Sequence, residues 1–168
     1  MTRLSAAEWK KHLRLTDHVE GGAFSEFYRS PLLLSQHQLP SVFTGDRSAS
    51  THIYFLLEKG QFSAFHRIQS DEIWHFYAGD AIIVYEIDHT GALHQHLLGN
   101  DPAAGQSFCC VIKAGNWFAS QPTDNTEYGL VGCTVAPGFD FADFELAKKD
   151  ELINLFPMHA KLIERLCR

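Results

Sequence analysis

Apolar positions change their spacing twice along the chain. Near the start, Trp9 and Leu13 lie four apart behind Ser5-Ala6-Ala7-Glu8, which has capping-box spacing, and together they predict a short helix over 5–14. From Glu26 onward the apolar positions alternate or form short blocks rich in Val, Ile, Phe, Tyr and Thr. The blocks at 51–58, 62–68, 72–78, 81–88, 92–98, 106–112, 117–121 and 126–136 read as strands. Turn chemistry separates them at Lys59-Gly60, Ser70-Asp71, Gly79-Asp80, Asp88 to Gly91 and Gly99 to Pro102. Many short strands at regular spacing predict an all-β antiparallel sandwich or barrel rather than a β-α-β sheet. After Pro137-Gly138 the spacing turns helical, from Leu146 to Leu155 and again from Met158 to Cys167. No repeat or linker interrupts the pattern, so residues 1–168 read as a single domain.

Composition narrows the partners. The 168 residues are 45% hydrophobic, and 13 Phe, 5 Tyr and 3 Trp must fill a thick core or line a cavity. A net charge of −6, with no Lys or Arg run longer than two, lacks the footprint that nucleic acid or an anionic membrane requires. No stretch reaches the roughly 20 apolar residues of a membrane span, and Met1 to Trp9 lacks the features of a signal peptide, so the expected location is cytoplasmic. Cys109, Cys110, Cys133 and Cys167 form no Cys-x-x-Cys pair and read as reduced thiols.

The most informative stretch runs from Gly60 to Gly79 and contains His66, Ile68, Glu72, Trp74 and Phe76. If Gln69-Ser70-Asp71 closes a three-residue hairpin, Ile68 faces Glu72, His66 faces Trp74, and His66 and Glu72 become diagonal neighbours on one apolar face. A carboxylate beside an imidazole on such a wall can orient the ring and stabilise its protonated form, as a general base needs. The stretch resembles the first signature of the cupin superfamily: Gly60, His66, Glu72 and Gly79 fall on its positions, while Ile68 stands where it has a second His. The second signature is matched by Lys113-Ala-Gly115-Asn-Trp117-Phe118, with Phe118 in the place of a third His. His18-Val-Glu20-Gly21-Gly22-Ala-Phe24 with Glu26 and Arg29, Ser70 to Gly79, and Gly132 to Phe144 resemble one uncharacterised RmlC-like branch of the cupins.

That resemblance implies a jelly-roll barrel (a double-stranded β-helix) with a ligand-sized interior and a homodimer. The dimer also fits a strand over 20–30 long enough to add to a partner. The cupin metal pattern uses three His and one Glu, of which only His66 and Glu72 remain. No metal or other cofactor is therefore expected; a weak site on His66 and Glu72, completed by His52, His75 or Gln121, is the alternative. His94 and His96 alternate with Leu93 and Leu97 and read as a solvated face. Trp74, Phe76, Trp117, Phe118 and Ile68 are candidate cavity walls. Gly21-Gly22 reads as a bend, and Asp140 as a helix N-cap.

Within RmlC-like cupins the implied chemistry is epimerisation, with a His base and a Tyr acid. His66 would be the base, Glu72 its orienting partner, and Tyr54, Tyr28 or Tyr128 the acid. Arg29 and Arg47 would hold a diphosphate, Arg67 would point outward, and Glu26 joins the ligand contacts. The expected function is thus a metal-independent isomerase acting on a small, carbohydrate-derived molecule. A non-catalytic small-molecule-binding cupin, or a metal-dependent isomerase or dioxygenase with a reassembled ligand set, are the rivals.

Overall fold

A computed structural model describes residues 3–124 and 126–168; Met1 and Thr2, part of the segment compared with a signal peptide, lie outside them. In chain order the elements are α1 (Ala6–Leu13), β1 (Thr16–Asp17), β2 (Ala23–Arg29), β3 (Leu33–Leu34), β4 (Arg47–Ser48), β5 (Thr51–Glu58), β6 (Ser63–Arg67) and β7 (Asp71–Gly79). There follow β8 (Ile82–Ile87), β9 (Leu93–Leu98), β10 (Cys109–Ile112), β11 (Trp117–Pro122), β12 (Tyr128–Ala136), β13 (Glu145–Leu146), α2 (Lys149–Leu155) and α3 (Ala160–Leu166). One sheet has the order β1-β2-β5-β12-β7-β10 and faces a second, β13-β6-β11-β8-β9, with antiparallel pairing along both. This is an all-β jelly roll with short helices near its two ends.

Strand alternation assigns each side chain to a layer. On β5, Phe55 and Leu57 point between the sheets, where Trp74, Ile112, Phe118 and Val131 meet them. The opposite parity, Leu56 with Tyr128 and Leu130, packs under Trp9 and Leu13 of α1. That helix begins with the expected capping box, Ser5 accepting from the Glu8 N–H while the Glu8 carboxylate accepts from the Ser5 N–H. On the second sheet, Phe65, Tyr85 and Trp117 face outward and are covered by Leu152, Ile163 and Leu166 of the C-terminal helices.

The hairpin expected at Gln69 to Asp71 does not form. β6 pairs with β11 and β13, whereas β7 pairs with β10 and β12, so residues 68–71 carry the chain from one sheet to the other. His66, Ile68, Glu72 and Trp74 still point inward, because the inward parity of one strand faces the inward parity of the other across the barrel. Cross-sheet packing, rather than cross-strand pairing, brings them together.

Candidate functional site

A cavity of about 270 Å³ opens at one end of the barrel. Its floor carries His18, Glu20, His66, Glu72 and Cys133, and its walls include Phe24, Ile53, Ile68, Phe139 and Phe144. Glu26, Arg29 and Asp140 also line it, all three exposed to solvent.

His18 and Glu20 reach the floor because the chain bends sharply after them. The Gly21 N–H donates to the His18 carbonyl and the His18 N–H to the Gly22 carbonyl, with Gly21 at φ 115° and Gly22 at φ 71°. A Cβ on Gly21 would lie 2.1 Å from the Phe62 carbonyl oxygen, so the bend requires glycine on both steric and conformational grounds. The Gly21-Gly22 bend of the sequence reading is present, and it presses the preceding two polar residues into the interior.

His66 is 3% exposed, and both of its ring nitrogens are engaged. Nδ1–H donates to the Ala64 carbonyl at 2.7 Å, and Nε2 lies 3.0 Å from Glu20 Oε2. Ser63 donates to the other oxygen of Glu20 at 2.9 Å. Burial drives His66 below the ordinary imidazole range and Glu20 above the ordinary carboxylate range. Burial thus presses both partners toward their uncharged forms. The carboxyl hydrogen-bonded to His66 is that of Glu20, while Glu72, the partner expected from sequence, acts on the ring through its charge.

Glu72 is 7% exposed, and its partner is the Cys133 thiol, a weak donor. Burial pushes its carboxyl up to about 7, with His66 opposing and Glu20 adding to the shift. Among the described residues no N–H or O–H donor reaches it. His18 completes the floor: the Glu20 N–H donates to its Nδ1 at 3.4 Å, which leaves the proton on Nε2, and burial holds the ring below the ordinary imidazole range.

Of the residues selected from sequence, His66, Glu72, Ile68, Arg29 and Glu26 line the cavity. The others do not. Tyr54 has the outward parity of β5, beside Phe27 and Tyr77. Tyr28 is exposed, and the Tyr128 hydroxyl is used by α1, donating to the Leu4 carbonyl and accepting from Trp9. No candidate Tyr is thus placed as an acid. Trp74 and Phe118 are inward but form the packed core behind His66, and Phe76 packs against the same core. Trp117 has the outward parity of β11, under Arg67. Arg47 is buried in a two-bond ion pair with Asp143, each contact 2.6 Å, which anchors the segment carrying Phe139 to Phe144. Asp140 caps the 3-10 turn Phe141–Asp143 as expected, accepting from the Ala142 N–H. His94 and His96 lie on the outer side and bond Asp88 and Glu86.

The cupin metal pattern does not fit this floor. Ile68 and Phe118 offer no donor, Glu20 occupies His66 Nε2, and among the described residues no group of three or more His, Cys, Asp or Glu is arranged to hold an ion. His52 and His75 project from the far face of the first sheet, bonding Thr134, and Gln121 bonds Tyr85 outside the second sheet, so none can complete a site on His66.

Two facing antiparallel sheets around a cavity of this kind define a small-molecule-binding cupin. The family model described as Cupin superfamily (DUF985) matches residues 7–147, and the chain belongs to that family. A protein from Shewanella oneidensis is similar at 38% identity and TM-score 0.88, over 98% of each chain. A hypothetical protein from Leishmania major is similar at 31% identity and TM-score 0.87, over 98% of this chain and 99% of that one. Oxalate decarboxylase from Bacillus subtilis shares the fold at 13% identity and TM-score 0.54, over 89% of this chain and 36% of that one. No curated protein matches in sequence.

Two floor residues, His18 and Glu20, and one further group, Cys133, had no role assigned from sequence. The signal that could have found the first two is the glycine pair that follows them.

Proposed function

We propose that this cupin is a metal-independent proton-transfer enzyme of the isomerase type, acting on a small compound whose C–H bond is acidified by a neighbouring carbonyl. The observation that carries this reading is Glu72: a buried carboxyl facing a ligand-sized cavity, weakly partnered and titrating near 7, where a general base is most effective. In the step, the Glu72 carboxylate takes the α proton, the C–H electron pair becomes the new C=C bond, and the carbonyl π pair moves onto oxygen. The His18 Nε2–H is the donor available to that oxygen in place of a Tyr. With an α-hydroxy carbonyl substrate the intermediate is an enediol, and Glu72 then gives the proton to the former carbonyl carbon while His18 takes the proton of the α hydroxyl, which becomes the new carbonyl. His66, closed at both nitrogens, is a positioning residue that bonds Glu20 and shapes the floor.

The diphosphate of a sugar nucleotide has little support here. Arg47 is consumed by Asp143, Arg67 by Glu145, and Arg29 by both oxygens of Glu26 and the Phe139 carbonyl.

The test is to screen small keto compounds in D₂O for exchange of the α proton. Glu72→Gln should lower exchange by roughly 100-fold to 10,000-fold, and the rise of rate with pH through about 7 should vanish. His66→Asn should lower the rate less and keep that rise. A second reading, pure ligand binding without turnover, is favoured by the closure of both His66 nitrogens and the absence of a lining Tyr. Tight binding of a co-purifying compound, with no exchange above the Glu72→Gln level for any candidate, would decide for it.

A further inference from the structure

We propose that the ligand taken by this cavity is a small ammonium compound, its alkyl body packed on Phe139, Phe141 and Phe144 and its charge facing Asp140 and Glu72. The inference rests on reading the cavity as the ligand site, and on no particular chemistry there.

Three features point to a cation. The first is charge. Four carboxyl groups line the cavity, from Glu20, Glu26, Glu72 and Asp140; burial presses Glu20 toward its neutral form and Arg29 takes both oxygens of Glu26, which leaves Glu72 and Asp140 with no cation beside them. The two lining imidazoles add no compensating charge, since burial holds both His18 and His66 toward their neutral forms.

The second is the wall. Phe139, Phe141 and Phe144 pack edge to face in all three pairings, with centroid separations of 5.1, 6.2 and 6.0 Å. Such a cluster lines a cavity with ring faces and edges together, and ring faces attract alkylammonium groups through their quadrupole. The buried Arg47–Asp143 pair fixes the segment that carries the rings, so this wall is pre-organised.

The third is Glu72 itself. A carboxyl more than nine-tenths buried, aimed into the cavity and met only by a thiol, lacks the donors or counter-charge that its ionised form needs. An ammonium group in the cavity supplies that charge, whereas a carboxylate or phosphate ligand would add repulsion to a site already short of donors. Binding a cation should therefore ionise Glu72 and release a proton.

The experiment compares three probes of one shape by calorimetry at pH 7: choline, its uncharged isostere 3,3-dimethyl-1-butanol, and the anion 3,3-dimethylbutanoate. Choline should bind at least tenfold more tightly than the alcohol, with the carboxylate weakest. The choline heat should vary with the ionisation enthalpy of the buffer, reporting proton release. Asp140→Asn, which keeps the helix cap, should weaken choline several-fold and leave the alcohol unchanged. Glu72→Gln should also weaken choline and remove the proton release. The proposal is overturned if the alcohol or the carboxylate binds as tightly as choline, or if choline fails to bind at millimolar concentration. Selective choline binding without any α-proton exchange would keep this inference and end the isomerase reading. Exchange on uncharged carbonyl compounds, with no preference for choline, would do the reverse.

Discussion

Two clusters of histidines lie on either side of the first sheet, one outside the barrel and one inside it, and they differ in what they leave open. On the outer face, Tyr77 bonds His52 at 3.0 Å, His52 bonds Thr134 at 2.7 Å, and Thr134 bonds His75 at 3.1 Å. The chain is satisfied in either direction: phenol to His52 Nε2, His52 Nδ1–H to Thr134 and Thr134 hydroxyl to His75 Nε2, or the reverse. Inside the barrel, His66 and Glu20 close on each other, but Glu72 and the Nε2–H of His18 stay open to the cavity. Both clusters contain the residue types of acid-base chemistry. What separates them is burial combined with unspent hydrogen-bonding capacity, which shifts the Glu72 carboxyl to about 7 while the outer chain stays a local structural network.

The comparison breaks most visibly if activity follows the wrong cluster. Glu72→Gln should remove most exchange, as argued above, whereas His52→Gln and Tyr77→Phe should leave it within about twofold. A loss on the outer face matching the general acid-base range of roughly 100-fold or more would relocate the chemistry.

Stability against pH sharpens the same contrast. The Glu72 carboxyl is raised in the folded protein, so between its ordinary value of 4.5 and about 7 the folded state keeps a proton that the unfolded chain has lost. Stability should fall as pH rises through that window and level off above it. Glu72→Gln should therefore stabilise the protein at pH 8, by up to about 3 kcal/mol at roughly 1.4 kcal/mol per unit, and have little effect at pH 4. Denaturant unfolding at the two pH values measures this. Equal effects at both would show that Glu72 is not held neutral.

The strands and their rough limits were legible in the sequence because period-two alternation and turn residues act locally. The capping box at Ser5 and the glycine bend at 21–22 were legible for the same reason. Which parity faces inward was legible on β6 and β7, where His66, Ile68, Glu72 and Trp74 point inward as expected, but not for Tyr54 and Trp117, because both faces of their strands are apolar, covered outside by α1 and by the C-terminal helices. The partner of His66 was also hidden. Glu20 lies 46 residues away in sequence and meets His66 only because the glycine bend folds it into the barrel. Glu72 could be selected from a motif, but its environment, one thiol and a cavity, is a property of the assembled sheets.

We propose that the outer face also carries the homodimer contact. β1 covers β2 only at Ala23 and Phe24, so the edge of Ser25 to Arg29 is open, and Phe27 and Tyr28 are 65% and 47% exposed beside the outer cluster. Sedimentation at roughly tens of micromolar, where a standard-sized interface persists, should give twice the monomer mass of 19.0 kDa. Phe27→Asp enters a two-fold interface twice and should shift the equilibrium toward monomer by about 100-fold, the loss of two apolar contacts of about 1.5 kcal/mol each. A wild-type monomer at that concentration would leave the outer aromatic residues without this role.

The smallest expected effect isolates the outer chain itself. Burial lowers the titration of His52 and His75, so the outer cluster loses stability as pH drops below the ordinary imidazole value of 6.5, where the unfolded chain takes up protons first. With the Tyr77 phenol donating, this hydrogen bond favours the neutral His52 ring and opposes its protonation. Tyr77→Phe removes one half-exposed hydrogen bond and should cost no more than about 1 kcal/mol at pH 8. It should also raise the His52 midpoint toward 6.5, followed by the ring-proton shifts in an NMR titration, while Glu72 and the pH dependence of exchange stay as they were. A joint shift of His52 and Glu72 would mean that the two faces of the sheet are coupled. Movement of His52 alone would establish that the central sheet insulates a closed structural network from an open, reactive one.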